Sequence, residues 1–445
     1  MRGFCTSAGT KSLKEYKPTS DSPVVEKLKA AGGIVIGMKG SFVSSHIFPK
    51  SIYFNPYRAI FCIWLTFLFH TGKTNLHELS LGVTSKNYFT GAVRNPADRS
   101  LFSGGSSGGT AAAIAAGFVK VGLGTDNMGS VRIPAALCGV YGYRPTINRY
   151  PSDGVVTISH TRDTIGLLAD NLEDIELFDS IITTGSHSDE RSHSPGFYGT
   201  LYRYGDKIRL GVSKFYFFLS LSKEVNTAVE NILQKLSTKN NIELVNADMM
   251  GIERLVKKDN AIIEHELNID LPKFLKDYNT GVSFDNLVEE IASPDVERIV
   301  GDSREKFASG KTEPLYQEAL EERATLKDFY ETFFDKHRLD AIIYPTTPLE
   351  AKPTDNCETR VLMDGRNVNT YKTFIQNTSP GSYAGIPSIS LPLAKTSTGL
   401  PIGIQLETLE NHDRLLFEIA GVVRDAVIEE VPSISITDDS DDLLI

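Results

Sequence analysis

SGGSSGGTAAAIAAG (residues 103–117), followed closely by GTDNMGSVRIPAALCGVYGYRPT (residues 124–146), decides how the chain is read. In the first stretch Gly104, Gly105, Gly108 and Gly109 surround Ser106 and Ser107. Glycine allows turns that other residues resist. The alanine-rich run that follows is a strong helix former. The loop therefore opens a helix whose free N–H groups suit an anion or an oxyanion. Val119 to Gly124 reads as a strand and Thr125 to Pro134 as a turn-rich loop. A helix followed by a returning strand brings its ends together, so Ser106 and Ser130, 24 residues apart (130 minus 106), are expected to meet. GGSSGG also fits G-x-S-x-G, but a nucleophile elbow needs a strand directly before it. Here a polar loop with Pro96 precedes.

Working outward, Ser22 to Ala31 reads as a short amphipathic helix with Pro23 near its start. Gly32-Gly33 ends it, and Ile34 to Ile36 reads as a buried strand. Asn171 to Ile182 and Asp413 to Ala426 have amphipathic helical spacing. Val225, Ala228, Val229, Ile232, Leu233 and Leu236 mark one helical face, with Ser222 as N-cap. Lys207–Val212, Ile242–Val245, Ala341–Tyr344 and Ser388–Leu391 read as strands. Gly185 to Gly196 reads as a surface linker, and residues 250–340 as mostly helical and charged. This alternation favours a layered α/β fold with a largely buried sheet.

Composition sets limits on function. The 445 residues carry 46 basic and 56 acidic side chains, a formal net charge of −10, and 41% are hydrophobic. Those values fit a soluble globular protein. The acidic balance argues against a general nucleic-acid partner, which calls for a basic face. Cys5, Cys62, Cys138 and Cys357 form no CxxC pair and no metal-ligand spacing, so neither a metal nor a disulfide scaffold is expected. A reducing, cytoplasmic setting is the simplest expectation. MRGFCTSAGTKSLKEYK has no apolar core for a secretory signal. The longest apolar run, Ala59 to Phe69, is too short to span a bilayer, so no membrane partner is expected.

The combination of GGSSGG with GTD-x-x-GSVRIPAALCG resembles the amidase signature family. The likeness extends to KTNLHELSLG (residues 73–82), Arg94-Asn95-Pro96, ISHTRDTIGLLA (158–169), YPTTP (344–348) and GIPSISLP…GLPIGIQL (385–406). The wording is most similar to the indoleacetamide and mandelamide hydrolase branch. The resemblance implies a three-layer α/β/α fold with a mixed, mostly parallel central sheet. It would form one amidase-like domain over residues 1–430, with 39–72 an atypical insertion, 200–340 a more variable helix-rich part, and 431–445 an acidic tail. It also implies a Ser–cisSer–Lys triad acting without cofactor or metal on a small carboxamide. Ser130 matches the nucleophile, and Ser106, after a cis Gly105–Ser106 peptide, matches the bridging serine. The backbone N–H groups of Asn127, Met128, Gly129 and Ser130 match an oxyanion hole. Ser107, Asp126 and Arg132 match supporting positions, Asp126 and Arg132 as a loop-bracing ion pair. A homodimer is compatible with the resemblance.

The sequence departs from the family pattern in three places. Glycine is usual where Met128 stands, so strain at φ > 0 and crowding of the pocket are expected there. Gly3 to Thr10 matches the stretch that follows the family's lysine motif, so truncation before the triad lysine is expected. Lys73 matches a different lysine, that of KTN. Joining Met38 to Lys73 gives GIVIGMKTNLHELSLG, which reads as uninterrupted family sequence and casts 39–72 as a translated intervening segment. Two alternatives to an active amidase follow. One is a catalytically dead or incomplete homologue. The other is a glutamyl-tRNA amidotransferase A-type subunit, against which Ile133 weighs because that branch usually has Gln there. Several weaker motifs are set aside. Thr71 to Thr74 (TGKT) lacks the first glycine of a phosphate loop. His77-Glu78 lacks a second zinc ligand at Leu81. His160 and Asp163 read as turn residues rather than triad members, and Phe215 to Leu221 as core.

Overall fold

The computed structural model describes residues 1–33, 73–184 and 207–428. The strand expected at Ile34–Ile36, the 39–72 segment, the linker at 185–196 and the acidic tail lie outside the described residues. The central feature is an eight-stranded sheet. In chain order its strands are β1 (Val121–Asp126), β2 (Tyr141–Arg144), β3 (Thr164–Ala169), β4 (Ile208–Val212), β5 (Ile242–Asn246), β6 (Ala341–Pro345), β7 (Ser388–Lys395) and β8 (Pro401–Glu407). Their spatial order is β1-β3-β2-β7-β8-β6-β4-β5.

The sheet is mixed, as expected, but not mostly parallel. Only the β4–β5 and β4–β6 pairings are parallel. The other five are antiparallel. Connection length accounts for one of these pairs. β7 and β8 are joined by a tight turn, with Thr396 N–H donating to Leu400 O, and such a link imposes antiparallel pairing. Parallel pairing appears where a helical crossover intervenes, as with Lys223–Ser237 between β4 and β5.

Side chains alternate across each strand, so the sheet buries both faces. On β6, Ile343 joins one apolar layer with the helices Leu172–Thr183, Lys223–Ser237 and Asp413–Val427. Its neighbours Ile342 and Tyr344 point the other way, into a layer with Phe217, Tyr330 and Phe334. Two helices begin as their sequences dictate. The Asn171 side chain accepts from Asp174 N, and the Ser222 side chain accepts from Val225 N. The Thr125–Pro134 stretch is not all loop, because a helix, Arg132–Cys138, starts inside it. Pro134 sits in the first turn of that helix, where a missing N–H leaves no hydrogen bond unmade. No helix among the described residues is long and apolar enough to cross a membrane.

Ile343 is fully buried in the layer that joins sheet to helices. Ile343→Ala is expected to lower the unfolding free energy by about 2–5 kcal/mol. Denaturant titration checks this, and a loss below about 0.5 kcal/mol, as at a surface site, would count against the two-faced packing.

Candidate active site

Two loops meet at one end of the sheet. The first, residues 103–107, runs into the helix Gly108–Ala115. Gly104 has φ 83°, and a Cβ there would lie 2.8 Å from Pro134 Cα, so only glycine fits. The Gly105–Ser106 peptide is cis. Ser106 O accepts from His77 N at 3.1 Å and from Ser85 Oγ at 3.0 Å. Ser85 Oγ in turn accepts from Gly108 N at 3.2 Å. Residues 74–85 therefore form a backing strip for the serine loop. Thr74 and Thr110 share a hydroxyl contact of 2.7 Å, and Gly109 N donates to Asn75 O at 3.1 Å.

The second loop leaves β1 at Asp126, whose carboxylate is fully buried. It accepts from Gly129 N at 2.8 Å, Val131 N at 3.1 Å, Arg132 Nε at 3.1 Å and Arg132 Nη2 at 3.0 Å. Arg144 approaches at 3.3 Å and also donates to Asp126 O. Burial alone would raise the Asp126 pKa, but the two guanidiniums hold it well below the usual carboxylate range. The expected brace between Asp126 and Arg132 is therefore present. Arg132 Nη2 also donates to Thr378 O at 3.2 Å, and Thr378 Oγ1 donates to Met128 O at 2.5 Å.

The two loops join through Ser107 N, which donates to Ser130 O at 3.0 Å. The Ser107 hydroxyl donates to Thr125 O at 3.4 Å. The loop that carries Ser106 is thus fastened to the loop that carries Ser130 through the residue after Ser106. Ser106 Oγ is buried and has no hydrogen-bond partner among the described residues. Ser130 lies on the wall of a cleft shared with Ser80, Gly82, Asn127, Met128, Asp163 and Tyr371. Leu81, Val83, Ile133, Val156, Ile158, Ile263 and Ile375 supply its apolar surface.

Two expectations for this loop are corrected. Met128 is not in the positive-φ region; Gly129, with φ 124°, takes that conformation. A Cβ on Gly129 would collide with the Thr378 side chain, so the glycine requirement falls one position later. Met128 instead packs its side chain at the cleft, where its sulfur accepts from Tyr371 Oη at 3.2 Å. Gly129 N–H is committed to the Asp126 carboxylate, so it does not face the cleft as a free donor. The N–H groups of Asn127, Met128 and Ser130 make no hydrogen bond to the described residues.

Other residues singled out in the sequence have structural partners. His77 Nε2 lies 3.0 Å from Asp295, and Glu78 accepts from Ala292 N and Ser293 N, where the helix Pro294–Ala308 begins. Lys73 Nζ donates to Thr6 Oγ1 at 2.6 Å, and burial pushes its pKa down to about 8. His160 pairs with Asp270 at 2.9 Å and Glu266 at 3.2 Å, not with Asp163. His160, Glu266 and Asp270 are metal-ligand types, but Glu266 already accepts from Ser159, Thr161 and Tyr316. Sequence reasoning missed Asp163 as a cleft residue. Its oxygens accept from Asn127 Nδ2 at 2.7 Å, Ile158 N at 2.7 Å and Ser159 N at 2.9 Å. Burial raises its pKa, against the pull of those donors. Tyr371 and Thr378 were missed too, since each contacts the loop from about 250 residues away in sequence.

The family model described as Amidase matches residues 68–417. The chain belongs to the amidase family. An indoleacetamide hydrolase of Agrobacterium vitis is 38% identical over 426 residues, covering 95% of this chain and 80% of that protein. A mandelamide hydrolase of Pseudomonas putida is 35% identical over 436 residues, covering 95% and 75%. A solved amidase structure superposes with a TM-score of 0.70 at 26% identity, covering 95% of this chain and 81% of that one. The chain is therefore an amidase-type hydrolase with the family's α/β architecture.

Two stability effects follow from the buried charges. Asp126→Ala leaves Arg132 and Arg144 without their shared carboxylate and is expected to cost about 3–5 kcal/mol. Because the Asp126 pKa is depressed, its contribution is full above the ordinary carboxylate range and fades as pH falls below it. Denaturation curves of parent and variant should converge in acid, and parallel curves would refute the assignment. Glu407 behaves oppositely. Burial outweighs Arg132, 3.7 Å away, and lifts its pKa from 4.5 to about 7. Its ionisation therefore removes stability as pH rises through that window, and Glu407→Gln should gain on the parent between acid and neutral pH. A thermal-melting difference that does not change with pH would rule this out.

Proposed function

We propose that the chain hydrolyses the C–N bond of a small, aryl-bearing carboxamide through an acyl-serine intermediate. The observation that carries this reading is the Ser107 N–H to Ser130 O hydrogen bond, which sets the Ser106 loop against Ser130 at the wall of a cleft lined by both polar and apolar side chains. The relatives named for indoleacetamide and mandelamide hydrolysis support an aryl group on the acid side.

In this reading Ser130 Oγ forms a bond to the amide carbon and gives its proton to Ser106, and the hydroxyl proton that Ser106 releases is the one the amide nitrogen takes as the C–N bond breaks. The free N–H groups of Asn127, Met128 and Ser130 receive the developing oxyanion; one such donor is worth roughly 10²–10³ in rate. The C–N bond breaks, the nitrogen takes a proton and leaves as ammonia, and water then cleaves the acyl-serine. Asp126 and Arg132 hold the loop, and Ser107 holds the two loops together. The base beyond Ser106 has no assignment among the described residues, since Ser106 Oγ is unpartnered and Lys73 bonds to Thr6. Cys5, Cys138 and Cys357 are free thiols, in keeping with a reducing, cytoplasmic setting.

Ammonia release from an arylacetamide tests the reading. Ser130→Ala is expected to lose at least about 10³-fold in kcat. Ser106→Ala is expected to lose about 10²-fold or more, the range of a positioned proton-transfer group. Parent-level turnover in Ser130→Ala would refute the nucleophile assignment.

A further inference from the structure

The cleft that holds Ser130 is nearly full. Its free volume is about 30 Å³, room for about two waters, whereas benzene takes a cavity of about 150 Å³. Side chains must therefore yield before an aromatic ring can enter. Val83, Ile133, Val156, Ile158, Ile263 and Ile375 line the cleft and are β-branched, stiff at χ1. Met128 is different. It is unbranched, with a polarisable sulfur and rotatable bonds that adapt to irregular space. Its side chain is buried in the cleft wall, two residues before Ser130 (130 minus 128) on the same loop. The backbone there is held firmly, since Thr378 Oγ1 donates to Met128 O at 2.5 Å. The tip is held weakly, since Tyr371 Oη donates at 3.2 Å to a thioether, a poor acceptor.

We infer that the Met128 side chain is a displaceable plug that sets how large an acyl group the cleft admits. The inference rests on the reading of Ser130 as nucleophile, because the reacting carbon then stands beside this loop and the acyl group must share the cleft with Met128. A short aliphatic acyl group needs little displacement. A ring needs the thioether to leave Tyr371 and turn aside, where the sulfur can lie against the ring edge. Displacement breaks the tether and part of the buried packing, so affinity falls as the acyl group grows. The backbone N–H of residue 128 is the same for any side chain there, so the plug acts on which substrate binds rather than on the reaction. Met128 is thus a specificity residue, and Tyr371 a positioning residue that holds the plug in place.

Ammonia release from propionamide, phenylacetamide and 1-naphthaleneacetamide tests this, the amides being compared by kcat/KM on the same protein. A loss common to all of them then cancels. Met128→Gly is expected to raise the naphthaleneacetamide-to-propionamide ratio about tenfold or more over the parent, within the range that steric fit in an apolar pocket supplies. Phenylacetamide should fall in between. The gain should lie in KM rather than kcat, as for a contact made before the reaction. Met128→Leu, close in volume, should keep the ratio within about twofold of the parent. Tyr371→Phe, which frees the sulfur, should raise it about two- to threefold, the worth of a weak hydrogen bond. An unchanged ratio in folded Met128→Gly, or a rise in Met128→Leu as large as in Met128→Gly, would overturn the inference. Where Met128→Gly does not fold, Met128→Ala takes its place with the same expectation and the same refutation. A parent that releases no ammonia from any amide would overturn the proposed reaction, and calorimetry then decides the plug separately. 1-Naphthaleneacetamide should bind Met128→Gly about tenfold more tightly than the parent, and equal binding, or binding to neither, would overturn it.

Discussion

The buried carboxylate of Asp126 is the constraint on which the rest of the site depends. It ends β1, and from there it gathers the N–H groups of Gly129 and Val131 and the guanidiniums of Arg132 and Arg144. These partners lie on three pieces of structure. Gly129 and Val131 belong to the loop, Arg132 opens the following helix, and Arg144 ends β2. A charge buried this deeply is tolerable only when fully paired. The pairing therefore fixes the loop path within narrow limits, and Ser130 with it.

The same loop is held from two further sides. Thr378 grips Met128 O and is itself held by Arg132, which ties the loop to the helix Ser379–Ala384. Ser107 grips Ser130 O, and Ser85 fastens the serine loop to the backing strip. Ser106 Oγ, Asn127 Oδ1 and the N–H groups of Asn127, Met128 and Ser130 have no partner among the described residues. Asn127, Met128 and Ser130 line the cleft, and Ser106 lies on the loop fastened to Ser130.

Much of this was legible in the sequence, and the reasons are local. The glycines of 104–109 announce a turn that side chains would block, and the alanines after them announce a helix. Ser222 and Asn171 announce helix starts. The approach of the two serine-bearing loops follows from helix-and-return topology. What the sequence hid is set by distant partners. Met128 looked strained because glycine is usual at that position in the family, whereas the positive φ falls on Gly129, against Thr378. Gly129 N–H looked free because nothing local reveals that Asp126 folds back onto it. The sheet looked mostly parallel because strand–helix alternation does not reveal which strands become neighbours, and β2–β7 and β8–β6, distant in sequence or non-consecutive, pair antiparallel. Asp163 looked like a turn residue, which it is, and only the fold brings it to Asn127.

The central claim is that Ser130 is the reactive hydroxyl at the junction of the two loops. Treatment of the folded protein with a fluorophosphonate probe, then peptide mapping by mass spectrometry, tests it most directly. The account predicts one covalent adduct, on the peptide containing Ser130, that vanishes in Ser130→Ala. An adduct confined to another serine, or one that survives in Ser130→Ala, would contradict it.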